Sequence, residues 1–438
     1  MVPVRDRLTS IVRDTGWTGT SEVVNLLTSF LILNVLIRTL GPSGYGRYVA
    51  IAALAAILVT LSSTWVVLVL LQRGLQQERP LRQAHAEALS LAFWAGVLAF
   101  LLGLGLSRLL LPELSLGVVA AFVGAELLVG VLVHVSAGAV QLADGLPAAT
   151  RLRLLPTLCR FFVVLVLFVL GAFDLQTLGF ALLATYSTVG GAVYLTTVRR
   201  LGLRLLPGGL TWTGLRDGLP YAGVLVSLAV QEDSDKILLV RFADDVHAGL
   251  YAAAYRLVQL GLIPIRALLG SSHPRFLVNT PGERGEHLGR AVRYTRPAAL
   301  YSVVAVIGIV VTAPVVPAFF GSEYDGTLPL LVALAPLVLL RSVSLFPLNA
   351  LMGLGRHGTR FSVIGSAAVL NVALNLVLIP RLSIWGAVIA TMVTEVYFIV
   401  LVWAATVRGQ RRHDSGDPSP ALQRPPVPGD EATGTSSG

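Results

Sequence analysis

Twelve apolar stretches follow one another along the chain, each long enough to cross a bilayer and separated from the next by a short polar loop. About 20 apolar residues cross the hydrocarbon core of a membrane as an α-helix, which satisfies its own backbone hydrogen bonds there. The pattern predicts an all-α polytopic membrane protein with about twelve transmembrane helices. The predicted spans are Thr18–Leu36, Tyr45–Leu71, Ala84–Leu109, Leu116–Val140, Leu154–Gly171, Leu178–Val198, Leu219–Val240, Gly249–Leu269, Pro297–Phe319, Leu328–Leu351, Ser362–Ile379 and Ile384–Val407.

The composition fits a chain whose main solvent is lipid. Hydrophobic residues make up 55% of the sequence, charged residues only 13%, and the mean hydropathy is +0.76. The formal net charge of +9 could suggest a nucleic-acid partner, but the basic residues flank apolar spans instead of forming a soluble basic face. We therefore expect no nucleic-acid partner. The single cysteine, Cys159, excludes an internal disulfide.

Basic residues are distributed unevenly among the loops. The N-terminal arm, the even-numbered loops and the C-terminal tail hold most of the 33 Lys and Arg residues, and the odd-numbered loops hold few. Because cytoplasmic loops are enriched in Lys and Arg, this bias predicts that both termini are cytoplasmic. Residues 1–16 predict a cytoplasmic amphipathic segment and not a cleaved signal peptide. Residues 409–438, rich in Pro, Gly and Ser, predict a disordered cytoplasmic tail.

A weak internal sequence similarity suggests that the two halves of the chain arose by duplication. The sequence Gly46-Arg47-Tyr48, which opens helix two, recurs 203 positions later as Gly249-Leu250-Tyr251, which opens helix eight. A second pair, Thr150-Arg151 and Thr359-Arg360, is 209 positions apart and precedes helices five and eleven. Parallel repeats are a common way to build a transporter with its site between the halves. We predict two six-helix lobes, residues 17–205 and 206–408, around a central cavity.

Helix seven carries the densest group of charges in any apolar span, at residues 231–236. An ionisable side chain at mid-bilayer costs about 2.5–3.5 kcal/mol, so such residues normally face a cavity or a partner. Helical spacing places Glu232 and Asp233 on the side of Lys236 and directs Asp235 elsewhere. These charges either neutralise one another and lock the helix hairpin or line a polar translocation cavity.

Further charged residues fall inside other spans. Arg256 returns in helix eight at a similar depth, and we predict a contact between Arg256 and Asp233 or Asp235, with Lys236 in the same network. Arg160 lies near enough to the cytoplasmic end of helix five to extend to the surface. Arg341 lies deeper, in a helix interrupted by prolines, and is the better ligand candidate. Cationic side chains in a cavity suit an anionic passenger, because guanidinium groups can bind two oxygens of one phosphate.

Three passages resemble the polysaccharide flippases of the multidrug/oligosaccharidyl-lipid/polysaccharide exporter superfamily, the Wzx-like proteins. They are residues 38–48 between helices one and two, Asp235-Lys236 followed by residues 249–252 in helices seven and eight, and residues 374–380 with 386–391 in the last two helices. The likeness extends from about residue 15 to residue 408. One departure is Ser383, where such proteins often have glycine.

The resemblance implies a flippase of the cell membrane that moves an oligosaccharide on a polyprenyl pyrophosphate from the cytoplasmic to the outer leaflet by alternating access. It implies that Arg256 and Arg341 bind the substrate, and that Lys236 and Arg160 belong to the same binding site and lie behind these two arginines. The candidates for coupling to H⁺ or Na⁺ are Glu22, Glu126, Asp233 and Asp235, and no other cofactor is expected. Implied partners are the lipid-linked oligosaccharide, membrane lipid, and the polysaccharide polymerase and glycosyltransferases of the same process.

Other functions remain open at this stage. A protein of the same fold could export a small solute or drug with ion coupling, although the several arginines argue against it. The chain could also be a membrane scaffold for glycan assembly that transports nothing. An enzyme is not expected, because the chain has no phosphate-binding loop and its short loops leave no room for a catalytic domain.

Overall fold

The computed structural model describes residues 4–75, 80–208, 212–277 and 287–415. The side chains of residues 4–23, 26, 75, 273, 274, 277 and 317 lie outside that description. This set includes Glu22, so its predicted role in ion coupling falls outside the described residues. The same holds for the side chains of the predicted amphipathic segment and for the tail after residue 415.

Every regular element of the described residues is helical. Two π-helical turns, Thr60–Thr64 and Val129–His134, and two 3₁₀ turns, Ala313–Val315 and Ser322–Tyr324, connect some of the α-helices. The α-helices are α1 (Val4–Val59), α2 (Trp65–Leu75), α3 (Leu81–Leu110), α4 (Leu116–Leu128), α5 (Val135–Asp144), α6 (Leu146–Val169), α7 (Leu175–Leu201), α8 (Trp212–Phe242), α9 (Asp245–Gly261), α10 (Ile263–Leu277), α11 (His287–Thr312), α12 (Val316–Phe320), α13 (Thr327–Leu334), α14 (Leu337–Gly353), α15 (His357–Leu382) and α16 (Ile384–Asp414).

The predicted spans can all be found among these helices. Within the described residues, nine helical segments are long and apolar enough to cross a membrane, or ten if α9 and the start of α10, bent by 46°, form one span. One of the nine, Leu27–Gly74, contains the second half of predicted span one and all of span two. Helix α8 is 31 residues long and corresponds to span seven, whose central charges lower its hydropathy. The prediction of an all-α polytopic membrane protein with about twelve helices is confirmed.

Spans one and two are two helices that meet at a kink within α1, where the backbone leaves helical geometry at Gly41, with φ 63° and ψ 178°. Two predicted boundaries were wrong. The predicted loop from Gly270 to Arg296 is shorter, because α10 reaches Leu277 and α11 begins at His287. Helix α16 continues to Asp414, so residues 409–414 are helical. In both cases the helix extends beyond the apolar segment into polar sequence, which hydropathy does not register.

The chain divides into two compact units. The first unit consists of Met1–Arg256, Thr312–Leu334 and Ala368–Thr391. Within it, α4 packs on α7, and α1 packs on α6 and α8. Large side chains such as Tyr186, Tyr251 and Ile51 are fully buried there.

The second unit consists of Leu257–Val311, Ala335–Ala367 and Met392–Gly438. In this unit α10 packs on α14. The indole N–H of Trp403 donates to the carbonyl of Val343 at 3.1 Å, and the hydroxyl of Thr406 donates to the carbonyl of Pro347 at 3.1 Å. The division into six-helix lobes at residues 205 and 206 stays a prediction.

The two similar sequence motifs, Gly46-Arg47-Tyr48 and Gly249-Leu250-Tyr251, are in contact within the first unit. A Cβ atom on Gly46 would collide with the backbone carbonyl of Asp245, and a Cβ atom on Gly249 would collide with that of Pro42. Only glycine allows two helices to approach so closely that backbone touches backbone. An ion pair between Arg47 and Asp245 lies beside this contact. Two short motifs that look alike in sequence are therefore in direct contact in the fold.

The residue that departs from the family pattern has an unusual backbone. Ser383 has a φ of 52°, and among the described residues it is the one non-glycine residue with a positive φ. Its N–H donates to the carbonyl of Ile379 at 2.8 Å, and its carbonyl accepts from Gly386 at 2.9 Å. The left-handed region is costly for residues with a Cβ atom, which explains why glycine is usual at this turn.

The π-helical turn Thr60–Thr64 shows how polar side chains stabilise an irregular helix in an apolar setting. A π-turn disturbs the regular pattern of backbone hydrogen bonds. The hydroxyls of Ser62, Ser63 and Thr64 each donate to the carbonyl of Val59, at 3.2, 3.2 and 3.4 Å. The indole N–H of Trp65 donates to the carbonyl of Leu61 at 2.8 Å. Local side chains thus satisfy the carbonyls that the turn would otherwise leave exposed to lipid.

Candidate functional site

The charges in the middle of α8 form a compact network centred on Lys236, whose side chain is only 8% exposed. Its ammonium group donates to the carboxylate of Asp233 at 2.9 Å and to the backbone carbonyl of Glu232. It also lies 4.5 Å from the centre of the Tyr255 ring, within range of a cation–π interaction. A buried ammonium needs such partners, because its desolvation is costly.

Asp235 belongs to the same network, so the prediction that it points away from Lys236 was wrong. Its carboxylate lies 3.5 Å from the Lys236 ammonium and accepts the backbone N–H of Lys236 at 2.8 Å. It also accepts the hydroxyl of Tyr251 at 2.6 Å. The carboxylate turns back along its own helix to reach these donors, which a helical-wheel argument does not anticipate. Asp235 is 1% exposed, so these contacts replace its hydration.

The network continues onto α15 and α16 through uncharged polar groups. The hydroxyls of Tyr251 and Thr391 lie 3.1 Å apart, and the hydroxyl of Ser234 donates to the Asn371 side chain at 3.4 Å. One helical turn further along α15, the amide of Asn375 donates to the side-chain oxygen of Asn371 at 3.0 Å. Four helices, α8, α9, α15 and α16, therefore contribute residues of the first unit to one polar cluster.

Sequence reasoning missed Tyr251, Thr391, Asn371 and Asn375 as members of this cluster. A usable signal was present, because Asn371 and Asn375 lie four residues apart on one face of an apolar helix. The side-chain oxygen of Asn375 is buried and has no hydrogen-bond partner. Carboxylate, amide and hydroxyl oxygens are the ligand types that hard cations prefer, and a carboxylate can also take up a proton. The cluster can therefore hold a proton or a small cation.

Two other predicted site residues form a second ion pair in the first unit. Arg160 on α6 donates to the carboxylate of Glu126 on α4. Tyr186 on α7 adds a hydrogen bond from its hydroxyl to the carbonyl of Pro156 at 3.1 Å, one turn before Arg160. The sequence assigned Arg160 to an anionic substrate and Glu126 to an ion, but the structure brings the two side chains together. Each is partly exposed, at 30% and 24%.

In the second unit Arg341 is also paired. Its guanidinium donates to the carboxylate of Glu395 at 2.9 Å, and the two residues are 9% and 3% exposed. Glu395 was not among the predicted site residues. Breaking a buried pair leaves a charge without compensation, so this ion pair is expected to contribute to the stability of the second unit.

Arg256 differs from the other basic candidates because its side chain is exposed, on α9 directly after the buried Tyr255. Arg256 is the next residue in the chain after Tyr255, whose ring packs against Lys236 of the α8 network. The specific contact between Arg256 and Asp233 or Asp235 stays a prediction.

Solved structures with the same fold are membrane transporters. The inward-facing conformation of a multidrug resistance MATE family transporter of the MOP superfamily matches with a TM-score of 0.67 and 15% identity, over 89% of this chain and 94% of that one. The outward-facing conformation of a transporter of the same description matches with a TM-score of 0.63 and 15% identity, over 92% and 96%. A MOP superfamily transporter from Pyrococcus furiosus Vc1 matches with a TM-score of 0.63 and 14% identity, over 92% and 96%. The chain thus has the same fold as these transporters.

The family follows from the sequence. Residues 11–277 match the family described as polysaccharide biosynthesis protein, and the chain belongs to that family. The resemblance drawn from residues 38–48 and the later motifs is confirmed. No curated protein sequence matches the chain.

Proposed function

We propose that this protein moves a lipid-linked oligosaccharide, carried on a polyprenyl pyrophosphate, from the cytoplasmic to the outer leaflet of the cell membrane. The observation that carries this proposal is membership of the polysaccharide biosynthesis family over residues 11–277, combined with a transporter fold along nearly the whole chain. A transporter that serves polysaccharide biosynthesis would move a product or precursor of glycan synthesis, and this supports the proposal. The polysaccharide polymerase and glycosyltransferases of that process are its proposed partners, and both termini are proposed to be cytoplasmic.

Among the basic candidates, Arg256 is the first choice for the diphosphate. Its exposed guanidinium can engage phosphate oxygens at two points. Lys236, Arg160 and Arg341 each hold a carboxylate partner, so a phosphate would have to exchange with that carboxylate. We propose that this exchange occurs when the passenger enters, and that Arg256 makes the initial contact.

The proposal is tested by locating the lipid-linked oligosaccharide in cells depleted of this protein. Intact precursor should accumulate on the cytoplasmic leaflet, and wild-type protein should restore export. The Arg256→Ala variant should fail to restore it, whereas Arg108→Ala, which removes an exposed arginine from the last turn of α3, should succeed. A normal precursor distribution in depleted cells would overturn the flippase proposal and favour export of a small solute. Full rescue by Arg256→Ala would overturn the site assignment and, if the other embedded charges also proved dispensable, favour a scaffold.

We also propose that the α8 cluster couples transport to H⁺ or Na⁺ through Asp235, with Asp233 beside it. The support is the burial of Asp235, its hydrogen bond with the Tyr251 hydroxyl on α9, and the polar side chains of α15 and α16 that join the same cluster. Purified protein in vesicles should transport faster when an H⁺ or Na⁺ gradient is imposed, and Asp235→Asn should abolish that acceleration. Asp244→Asn, in the exposed loop after α8, is the matched control and should keep it. Gradient-independent transport by the wild-type protein would contradict the coupling proposal while leaving the flippase proposal intact.

A further inference from the structure

Helix α9 presents two pairs of residues on opposite faces within the first unit. Asp245 and Gly249 form one pair, and Tyr251 and Tyr255 form the other. Residues four apart share one face of an α-helix, whereas residues two apart, such as Gly249 and Tyr251, differ by about 200° around the axis. The contacts agree with this geometry, because the first pair meets α1 and the second pair meets the charged network of α8.

The face of α9 towards α1 leaves no free space. A Cβ atom on Gly46 would meet the backbone carbonyl of Asp245, and a Cβ atom on Gly249 would meet that of Pro42. The ion pair between Arg47 and Asp245 lies beside these glycines, and the Asp245 side chain is only 15% exposed. We call these five residues the α1–α9 contact. Because backbone that touches backbone cannot adjust by changing rotamers, this contact requires one placement of α9.

The opposite face of α9 is held by a hydroxyl group that has two possible acceptors. Tyr251 is fully buried, and its hydroxyl donates to the carboxylate of Asp235 at 2.6 Å. The hydroxyl oxygen of Thr391 lies 3.1 Å from the same Tyr251 oxygen. A hydroxyl has one proton to donate, and an ionised carboxylate is a stronger acceptor than a hydroxyl. Neutralising Asp235 therefore allows Thr391 to compete for the Tyr251 proton.

The other charges of the network allow this change to act on Tyr251. Lys236 lies 3.5 Å from Asp235, but it also holds the carboxylate of Asp233 at 2.9 Å. When Asp235 is neutralised, the ammonium thus keeps a charged partner. The side chains that α9, α15 and α16 contribute to the cluster are uncharged: Tyr251, Tyr255, Asn371, Asn375 and Thr391.

Charged side chains on the other helices that pack on α8 bond to groups other than Asp235. These helices include α1, α2 and α3. On α1, Arg47 pairs with Asp245. On α2, Arg73 pairs with Glu87 of α3 and with Asp217, which lies about five helical turns before Asp235 on α8.

We propose that α9 transmits the charge state of Asp235 to the α1–α9 contact, and that Tyr251 is the positioning residue through which it acts. While Asp235 is ionised, its hydrogen bond with Tyr251 fixes the placement of α9 that the backbone contact requires. A proton or a small cation on Asp235 weakens that bond, so the α1–α9 contact opens more often. Transmission of this kind needs an element with two arrangements, which the two acceptors of Tyr251 provide. The choice of Asp235 as the group that is neutralised rests on the proposed coupling function.

The test is hydrogen–deuterium exchange of the full-length protein purified in detergent, followed by mass spectrometry of peptides that cover residues 42–48 and 245–250. Asp235→Asn stands in for the neutralised carboxylate at constant pD and salt. It should raise exchange in both peptides about fivefold, since a hydrogen bond to a charged group is roughly twice as strong as a neutral one. Tyr251→Phe should raise exchange by a similar factor, and the double variant should show no further rise.

The matched control removes a different buried tyrosine hydroxyl. Tyr186→Phe deletes the hydrogen bond from the Tyr186 hydroxyl to the carbonyl of Pro156, and it should leave exchange in both peptides at the wild-type rate. An equal rise in this control would overturn the proposal. So would wild-type exchange in Asp235→Asn, or additive effects in the double variant, because independent structural losses add.

A second comparison applies if Tyr251→Phe does not fold. Asp217→Asn makes the same chemical change as Asp235→Asn at the other end of α8, where the carboxylate pairs with Arg73. It should leave exchange in the two peptides unchanged. Equal rises in Asp217→Asn and Asp235→Asn would show that the α1–α9 contact responds to any loss of charge on α8, and the proposal would be wrong.

Transport in vesicles separates this inference from the coupling proposal. If an H⁺ or Na⁺ gradient accelerates the wild-type protein and Tyr251→Phe alike, the link through α9 is wrong and the coupling proposal stands. If wild-type transport does not respond to either gradient while the exchange results are as expected, the coupling proposal is wrong and the link through α9 stands.

Discussion

At the basic helix ends of the first unit, Arg73 lies between two carboxylates, whereas at those of the second unit Arg290 lies against the carbonyl of another arginine. Both sets of arginines follow the same topological rule, and loop counts alone treat them as equivalent. The groups that surround these arginines differ between the two units. In the first unit arginine joins helices through ion pairs, and in the second the guanidinium of Arg290 joins α11 to α10 through a backbone carbonyl.

The largest expected effect in this comparison comes from removing the central arginine of the first unit. Arg73→Ala leaves Glu87, which is 7% exposed, without its guanidinium partner. Loss of one member of a buried pair typically costs about 3–5 kcal/mol of unfolding free energy. We expect about 3 kcal/mol here, measured by denaturant unfolding of the purified protein in detergent.

The control for this measurement comes from the second unit. Arg356→Ala removes an arginine that forms no ion pair among the described residues, so the unfolding free energy should change by no more than about 0.5 kcal/mol. Combining Arg73→Met with Glu87→Met should restore much of the lost stability, because no buried charge is then left alone. Equal destabilisation by Arg73→Ala and Arg356→Ala would remove the distinction between the two units.

A second prediction concerns a substitution that adds a carboxylate to a basic helix end of the second unit, as the first unit already has. Gly289 lies in the first turn of α11, is exposed, and has open space around its Cβ position. Gly289→Glu should raise the unfolding free energy by about 1 kcal/mol, through helix propensity and through a carboxylate near the helix N-terminus and the arginines. Gly289→Gln shares the gain in propensity but lacks the charge, so an equal gain in unfolding free energy in both variants would argue against an electrostatic effect.

The smallest expected effect concerns the exposed pair of the first unit. The side chain of Arg200 is 66% exposed and that of Asp144 is 26% exposed. Exposed ion pairs contribute about 0–1 kcal/mol, so Asp144→Asn should lower the unfolding free energy by less than about 0.5 kcal/mol. Thermal unfolding at low and high ionic strength checks this value. A loss as large as that of Arg73→Ala would mean that exposure does not govern these pairs.

Much of the fold could be predicted from hydropathy, because the apolar spans are long and the fold is entirely helical in its described part. The positions of embedded charges were equally accessible, but their partners were not. Arg341 and Glu395 are 54 residues apart, and their pairing depends on how α14 and α16 are rotated about their axes. Asp235 was misplaced because its side chain bends towards its own backbone. Asn371 and Asn375 were missed because amides carry no charge to draw attention to them in an apolar helix.

The contact between Gly46 and Gly249 has a consequence for how this gene can change. Every missense change at either glycine codon introduces a Cβ atom, and that atom collides with a backbone carbonyl that no rotamer change can move aside. Compensation would require a shift of a whole helix, which a second point mutation does not supply. The two positions therefore constrain each other, although 203 residues separate them. If the halves of the chain arose by duplication, this is a place where the copies could not diverge independently.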